Sequence, residues 1–150
     1  MNVLLINGSP HKKGCTFTAL SEVAGELEKQ GIETNFFHIG TKAIRGCMAC
    51  RKCKETGYCT YSDDLVNECI NQMKAADGII VGSPVYYASP NGALLSLLDR
   101  VFYASSDAFA YKPSATIVSC RRAGAATTFD VLNKYFTISN MPIVSSQYWN

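Results

Sequence analysis

Five short apolar runs, separated by amphipathic stretches, set the pattern of this chain. Val3, Leu4, Leu5 and Ile6 form an unbroken run that reads as a strand buried on both faces. Ala19, Leu20, Val23, Ala24 and Leu27 then recur at helical spacing, which predicts a helix over about 16–30 that stops at Gly31. Residues 33–39 alternate and carry Phe36, Phe37 and Ile39, a second strand. Ser62, Asp63 and Asp64 form a capping signal ahead of Leu65, Val66, Cys69, Ile70 and Met73, so a helix is expected to about residue 76. Residues 78–82 read as a third strand, 93–101 as a helix and 115–119 as a fourth strand. A helix over about 126–135 and a fifth strand over 141–144 complete the pattern. Strands that alternate with helices predict one α/β domain, 1–150, on a parallel sheet.

The loops after the first, third and fourth strands all fall at the carboxyl edge of such a sheet, where ligands bind. Residues 7–16 read Asn-Gly-Ser-Pro-His-Lys-Lys-Gly-Cys-Thr and lead from strand into helix. Free amides at a helix N-terminus, hydroxyls at Ser9 and Thr16, and charge at His11, Lys12 and Lys13 make this a phosphate cradle. Cys15 follows Gly14 where a nucleotide-triphosphate loop needs lysine, and the dinucleotide Gly-x-Gly-x-x-Gly pattern is absent. The single phosphate of FMN fits. An ordinary strand-to-helix turn stays open on this loop alone.

Composition narrows the class. A net charge of +2 is too small to imply nucleic acid or a membrane surface, and no run nears the ~20 apolar residues of a membrane span. No signal peptide is expected, because the first apolar run turns straight into Gly8, Ser9 and Pro10. A cytoplasmic chain with seven cysteines, an odd number, argues for metal or redox use over a disulfide framework.

Asn-Gly-Ser-Pro-x-Lys-x-Gly-x-Thr at the start, then Gly-Ser-Pro-Val-Tyr-Tyr-Ala-Ser-Pro-Asn-Gly over 82–92, resembles the NAD(P)H-dependent FMN reductases of the flavodoxin-like superfamily. The resemblance covers essentially the whole chain. It implies a flavodoxin-like three-layer sandwich with a five-stranded parallel sheet in the order 2-1-3-4-5. It also implies a homo-oligomer, dimer or tetramer, whose subunits share the flavin pocket. Relatives continue into a closing helix after the fifth strand, so that last helix is expected to be absent here. On this resemblance Ser9, His11, Lys12, Gly14, Cys15 and Thr16 would surround the FMN phosphate. Pro84, Val85, Tyr86 and Tyr87 would line the ribityl chain and ring. Cys120, Arg121, Arg122 and Gly124 would face the pyrimidine edge. Two adjacent aromatics cannot both enter one core, so at least one of Tyr86 and Tyr87 is expected to be exposed. His38 reads as structural.

Residues 40–61 show no periodicity and exceed the ~12–15 residues of an ordinary connection. They hold Cys47, Cys50, Cys53 and Cys59, spaced CxxCxxC with a fourth cysteine six residues on. That spacing suits Cys₄ ligation of a [4Fe–4S] cluster and is similar to the iron–sulfur flavoprotein branch of the family. Zinc, or no metal, remains open. Arg45, Arg51, Lys52 and Lys54 are placed to offset thiolate charge. The expected activity is an FMN-dependent NAD(P)H oxidoreductase that passes electrons to a quinone, a flavin or another small acceptor. A flavodoxin-like electron carrier and a non-enzymatic flavin- or metal-binding regulatory module are the alternatives.

Overall fold

The computed structural model describes residues 1–145. Four strands pair in parallel in the order β2 (Glu33–His38), β1 (Asn2–Asn7), β3 (Gly78–Tyr86), β5 (Ser114–Ser119). Where the sequence pattern predicts a fifth strand over 141–144, the described residues make one isolated parallel bridge beside β5 instead of a strand. Ser114 N–H donates to the Pro142 carbonyl and Val144 N–H to the Ser114 carbonyl, each at 2.8 Å, around one parallel bridge to Ile143. Pairing does not extend further among the described residues, and 146–150 lie outside them.

The sequence pattern missed one strand. β3 runs past Gly82 to Tyr86 and folds back on the two-residue β4 (Ser89–Pro90), antiparallel to it. Pro84 stays in the strand because it still pairs with Ser119 of β5.

The two faces of the sheet carry separate cores. Val3, Leu5 and Ile80 pack against Leu20 and Ala24 of α1 (Cys15–Lys29). Leu4, Ile6, Phe37, Ile79 and Val81 pack on the other side. There they meet α3 (Val66–Ala75), α4 (Gly92–Ser105) and α5 (Ala125–Ile138). The period-2 side-chain alternation of buried strands explains the division. α1 is the one helix of its face among the described residues, and Ala115 and Ile117 of β5 are half-exposed beside it. A short α2 (Cys53–Thr56) lies within the long connection after β2.

Two local details depart from the sequence pattern. α3 starts at Val66, not at Ser62, because Asp64 Oδ1 accepts from Val66 N–H at 3.2 Å while its other oxygen is held by Arg100. α1 and β3 approach so closely at Gly82 that a Cβ there would lie 2.8 Å from Leu20 Cδ1 and 2.9 Å from Thr16 Cγ2. Only glycine lets the helix lie flat on the sheet at that point.

Lys112, just before β5, completes the far end of α3. Its Nζ donates to the carbonyls of Met73, Lys74 and Ala76 at 2.9, 2.7 and 2.6 Å, satisfying orphan acceptors at the negative end of the helix. Lys112→Met should cost about 1–2 kcal/mol, since charge-assisted bonds to the helix end are lost while the apolar stem is kept. Urea denaturation would show this as a lower midpoint at unchanged slope, and an unchanged midpoint would contradict the capping role.

Candidate functional site

Asn7 ends β1 and is fully buried, which obliges its side chain to find partners. It shapes the loop that follows: Oδ1 accepts from Ser9 N–H at 3.1 Å and Nδ2 donates to the Lys12 carbonyl at 3.3 Å. Ser9 Oγ in turn accepts from His11 N–H at 3.1 Å. From β2, His38 Nε2 lies 2.9 Å from the Ser9 carbonyl, the structural role expected of it. These local side-chain bonds replace a regular ladder and hold the loop open. Among the described residues, the backbone N–H groups of Lys12, Lys13, Gly14, Cys15 and Thr16 meet no acceptor. They gather at the positive end of α1, with Lys12 and Lys13 exposed around them. An anion with several oxygens fits this unclaimed set of donors.

Both loop hydroxyls have partners within the protein. The cap position of α1 is Gly14, with no side-chain bond. The Thr16 hydroxyl is buried and pairs with Ser119 Oγ at 2.8 Å, fastening α1 to the end of β5. Ser9 likewise turns its oxygen toward the loop's own backbone and is buried. Cys15 is exposed at the mouth of the loop.

The second loop is a tight hairpin. Tyr86 pairs with Ser89, which leaves Tyr87 and Ala88 as the two turn residues, with φ of 52° and 55°. Two left-handed residues in succession make a turn normally built from Asn and Gly, and each costs on the order of 1 kcal/mol in another residue. Tyr86 and Tyr87 are both exposed, Tyr87 completely, while Pro84 and Val85 are half-buried behind them.

The third loop closes on the second. Gly124, at φ 89°, precedes α5, and a Cβ on it would lie 2.8 Å from Ala88 Cα and 3.2 Å from Val85 Cγ1. Cys120, Arg121 and Arg122 are exposed along the same edge. Asn91 caps α4 by accepting from Ala93 N–H at 3.0 Å, and its Nδ2 donates to the Gly8 carbonyl at 2.8 Å. Three ties therefore join the three loops pairwise: Asn91 to Gly8, Thr16 to Ser119, and Gly124 against Ala88. Asn7, Asn91 and Ser119 were not singled out from sequence. A buried asparagine ending an apolar strand, and another just before a helix, are the signals that could have found the first two.

The four cysteines form a second feature. Cys47, Cys50, Cys53 and Cys59 all line one recess, with Tyr61, Arg100 and Tyr103. Among the described residues, no three thiols, imidazoles or carboxylates converge closely enough to hold a single metal ion. The backbone around the recess is unusual, with Ala49 and Arg51 left-handed at φ 51° and 62°. Cys53 is buried, and burial raises its thiol pKa; its own N–H and Lys54 oppose that, while Cys50 and Cys59 add to it.

Of the basic residues expected to offset these thiols, Arg45 stacks over Tyr61 at 4.4 Å and Lys54 over Tyr103 at 4.9 Å. The cation that touches a thiol is Arg100 of α4, which sequence reading passed over. Burial works against its charge, but Asp64 and Cys59 outweigh that and hold its proton more firmly than usual. Cys69 lies fully inside the α3 core, where burial raises its pKa and keeps it inert.

Known proteins resemble this chain in sequence and in fold. Residues 1–150 match the sequence model of the family described as NADPH-dependent FMN reductase. The chain is 34% identical to an iron–sulfur flavoprotein of Methanocaldococcus jannaschii, over 96% of this chain and 76% of that protein. It is 31% identical to an iron–sulfur flavoprotein of Methanosarcina thermophila, over 96% of this chain and 77% of that one. A solved flavodoxin from the domain Archaea shares the fold, with a TM-score of 0.67 at 13% identity, covering 97% of this chain and 80% of the other. No helix among the described residues is long and apolar enough to cross a membrane. With its flavodoxin-like parallel sheet and a match along its whole length, this chain belongs to the NADPH-dependent FMN reductase family of oxidoreductases.

Proposed function

We propose that this protein is a cytoplasmic FMN-dependent oxidoreductase. It takes hydride from NAD(P)H and passes electrons to a quinone, a flavin or another small acceptor, through a [4Fe–4S] cluster on Cys47, Cys50, Cys53 and Cys59. The observation that carries the flavin half is the set of unclaimed amides from Lys12 to Thr16. Bound FMN supplies the hydride and electron chemistry. The protein holds its phosphate with those amides, helped by Lys12 and His11. Thr16 and Ser9 act on the loop rather than on the phosphate. Pro84, Val85, Tyr86 and Tyr87 form the wall of the ring site, and Arg121 or Arg122 stabilises negative charge at its pyrimidine edge. No acid–base residue is required for hydride transfer, and none is assigned.

The cluster half is supported by four thiols on the wall of one recess, by their CxxCxxC spacing with a fourth cysteine close by, and by the names of the two relatives above. Seven free cysteines fit a reducing compartment. The half-exposed β5 positions Ala115 and Ile117 beside α1, together with exposed Tyr86 and Tyr87, favour a homodimer or homotetramer.

Steady-state NADPH oxidation with a quinone as acceptor tests the activity. Turnover is expected, and FMN binding without turnover would leave an electron carrier in its place. Asn91→Ala cuts the tie between the first two loops and should weaken FMN binding about tenfold, or ~1.4 kcal/mol. Fluorescence titration reads this, and unchanged affinity would detach the loop ties from flavin binding. In protein prepared without oxygen, Cys53→Ala should abolish iron and sulfide yet leave FMN bound, because the flavin loops belong to other strands. A wild type with FMN but no iron, or with one zinc, defeats the cluster assignment alone. Light scattering should give a dimer or tetramer at micromolar concentration; a stable monomer would refute the assembly.

A further inference from the structure

Arg100 sits in the buried stripe of α4 with Leu97, Val101 and Phe102, and is only 3% exposed. A guanidinium stays charged in any protein environment, so burying it demands an acceptor for every N–H. All five are met. Nε and one Nη2 hydrogen go to Cys59 Sγ at 3.3 and 3.2 Å. The other Nη2 hydrogen goes to the Tyr61 carbonyl at 3.0 Å. Nη1 donates to the Arg45 carbonyl at 3.2 Å and forms an ion pair with Asp64.

This pattern exceeds what packing or neutralising Asp64 requires. An arginine serving the carboxylate alone would use its fork on two oxygens. Here two N–H groups go to the sulfur of a cysteine that shares its recess with Cys47, Cys50 and Cys53. The two carbonyls flank the cysteines: Arg45 precedes Cys47 and Tyr61 follows Cys59. One side chain thus closes both ends of the cysteine segment onto α4.

We propose that Arg100 is the positioning residue of the cysteine recess, and that its N–H bonds to Cys59 raise the reduction potential of the cluster held there. This rests on the cluster assignment above. Taking up one electron makes the cluster and its four thiolates one unit more negative. Donors on a ligand sulfur and a fixed positive charge both favour that state. Asp64 offsets part of the charge but leaves the two N–H contacts to sulfur in place.

The test uses the full chain, purified without oxygen, as wild type, Arg100→Lys and Arg100→Gln. Iron and sulfide are counted per chain, and the cluster is titrated with dithionite under electron paramagnetic resonance. Both variants should hold iron. At the wild-type midpoint the Gln variant should show at least a tenfold lower ratio of reduced to oxidised cluster, which is 59 mV for a one-electron couple. The Lys variant, with charge but no fork, should fall between. Equal midpoints in iron-loaded variants would overturn the proposal, as would failure of both variants to fold, which would make Arg100 a packing residue. A wild type without iron overturns the cluster assignment and this proposal together. A wild type with iron and unshifted variants overturns this one alone.

Discussion

Asn7 and Gly82 stand opposite each other where β1 and β3 run side by side, and the carboxyl edge depends on that register. In a parallel pair a slip of one residue would turn every side chain to the opposite face. Asn7 would then leave the position from which it shapes the first loop, and the glycine that admits α1 would no longer lie beneath Leu20 and Thr16. The register is secured by apolar runs on both strands that fit only one way between the two cores. It is locked at its end by the bond from Gly8 N–H to the Gly82 carbonyl at 2.8 Å. Core packing and the shape of the loop edge are therefore specified by the same pairing.

α4 carries that order from the loops to the cysteines. Its cap residue, Asn91, grips the Gly8 carbonyl, and Arg100 meets Cys59 on the same rigid element, about 13 Å along at 1.5 Å per residue. The two features belong to different loops with no contact in sequence, yet one helix holds both. A helix packed against a sheet through Leu94, Leu97, Leu98 and Val101 has little freedom to shift at one end without the other.

Much of this could be read from the sequence, because hydrophobic period and glycine-rich loops are local signals. The strand–helix alternation, the three loops and the four cysteines all announce themselves within short windows. What escaped is what depends on distant partners. The hydroxyl of Thr16 meets Ser119, far along the chain, which no window around Thr16 reveals. Arg100 looks like an ordinary helix cation, which usually extends its head to water. Its position three residues after Leu97, in the buried stripe, was the available warning, but its acceptors lie in a segment without periodicity. The hairpin after β3 escaped because Tyr87 and Ala88 are not residues that favour left-handed backbone.

That unfavourable turn has a consequence for anyone engineering the protein. Replacing Tyr87 and Ala88 with Asn and Gly would relieve the backbone and, by ordinary turn chemistry, raise the melting temperature. It would also delete the fully exposed aromatic ring at the edge where the three loops meet. A screen that ranks variants by heat resistance would thus favour chains that have lost part of the proposed flavin wall, and selection here has to score flavin retention alongside thermal tolerance.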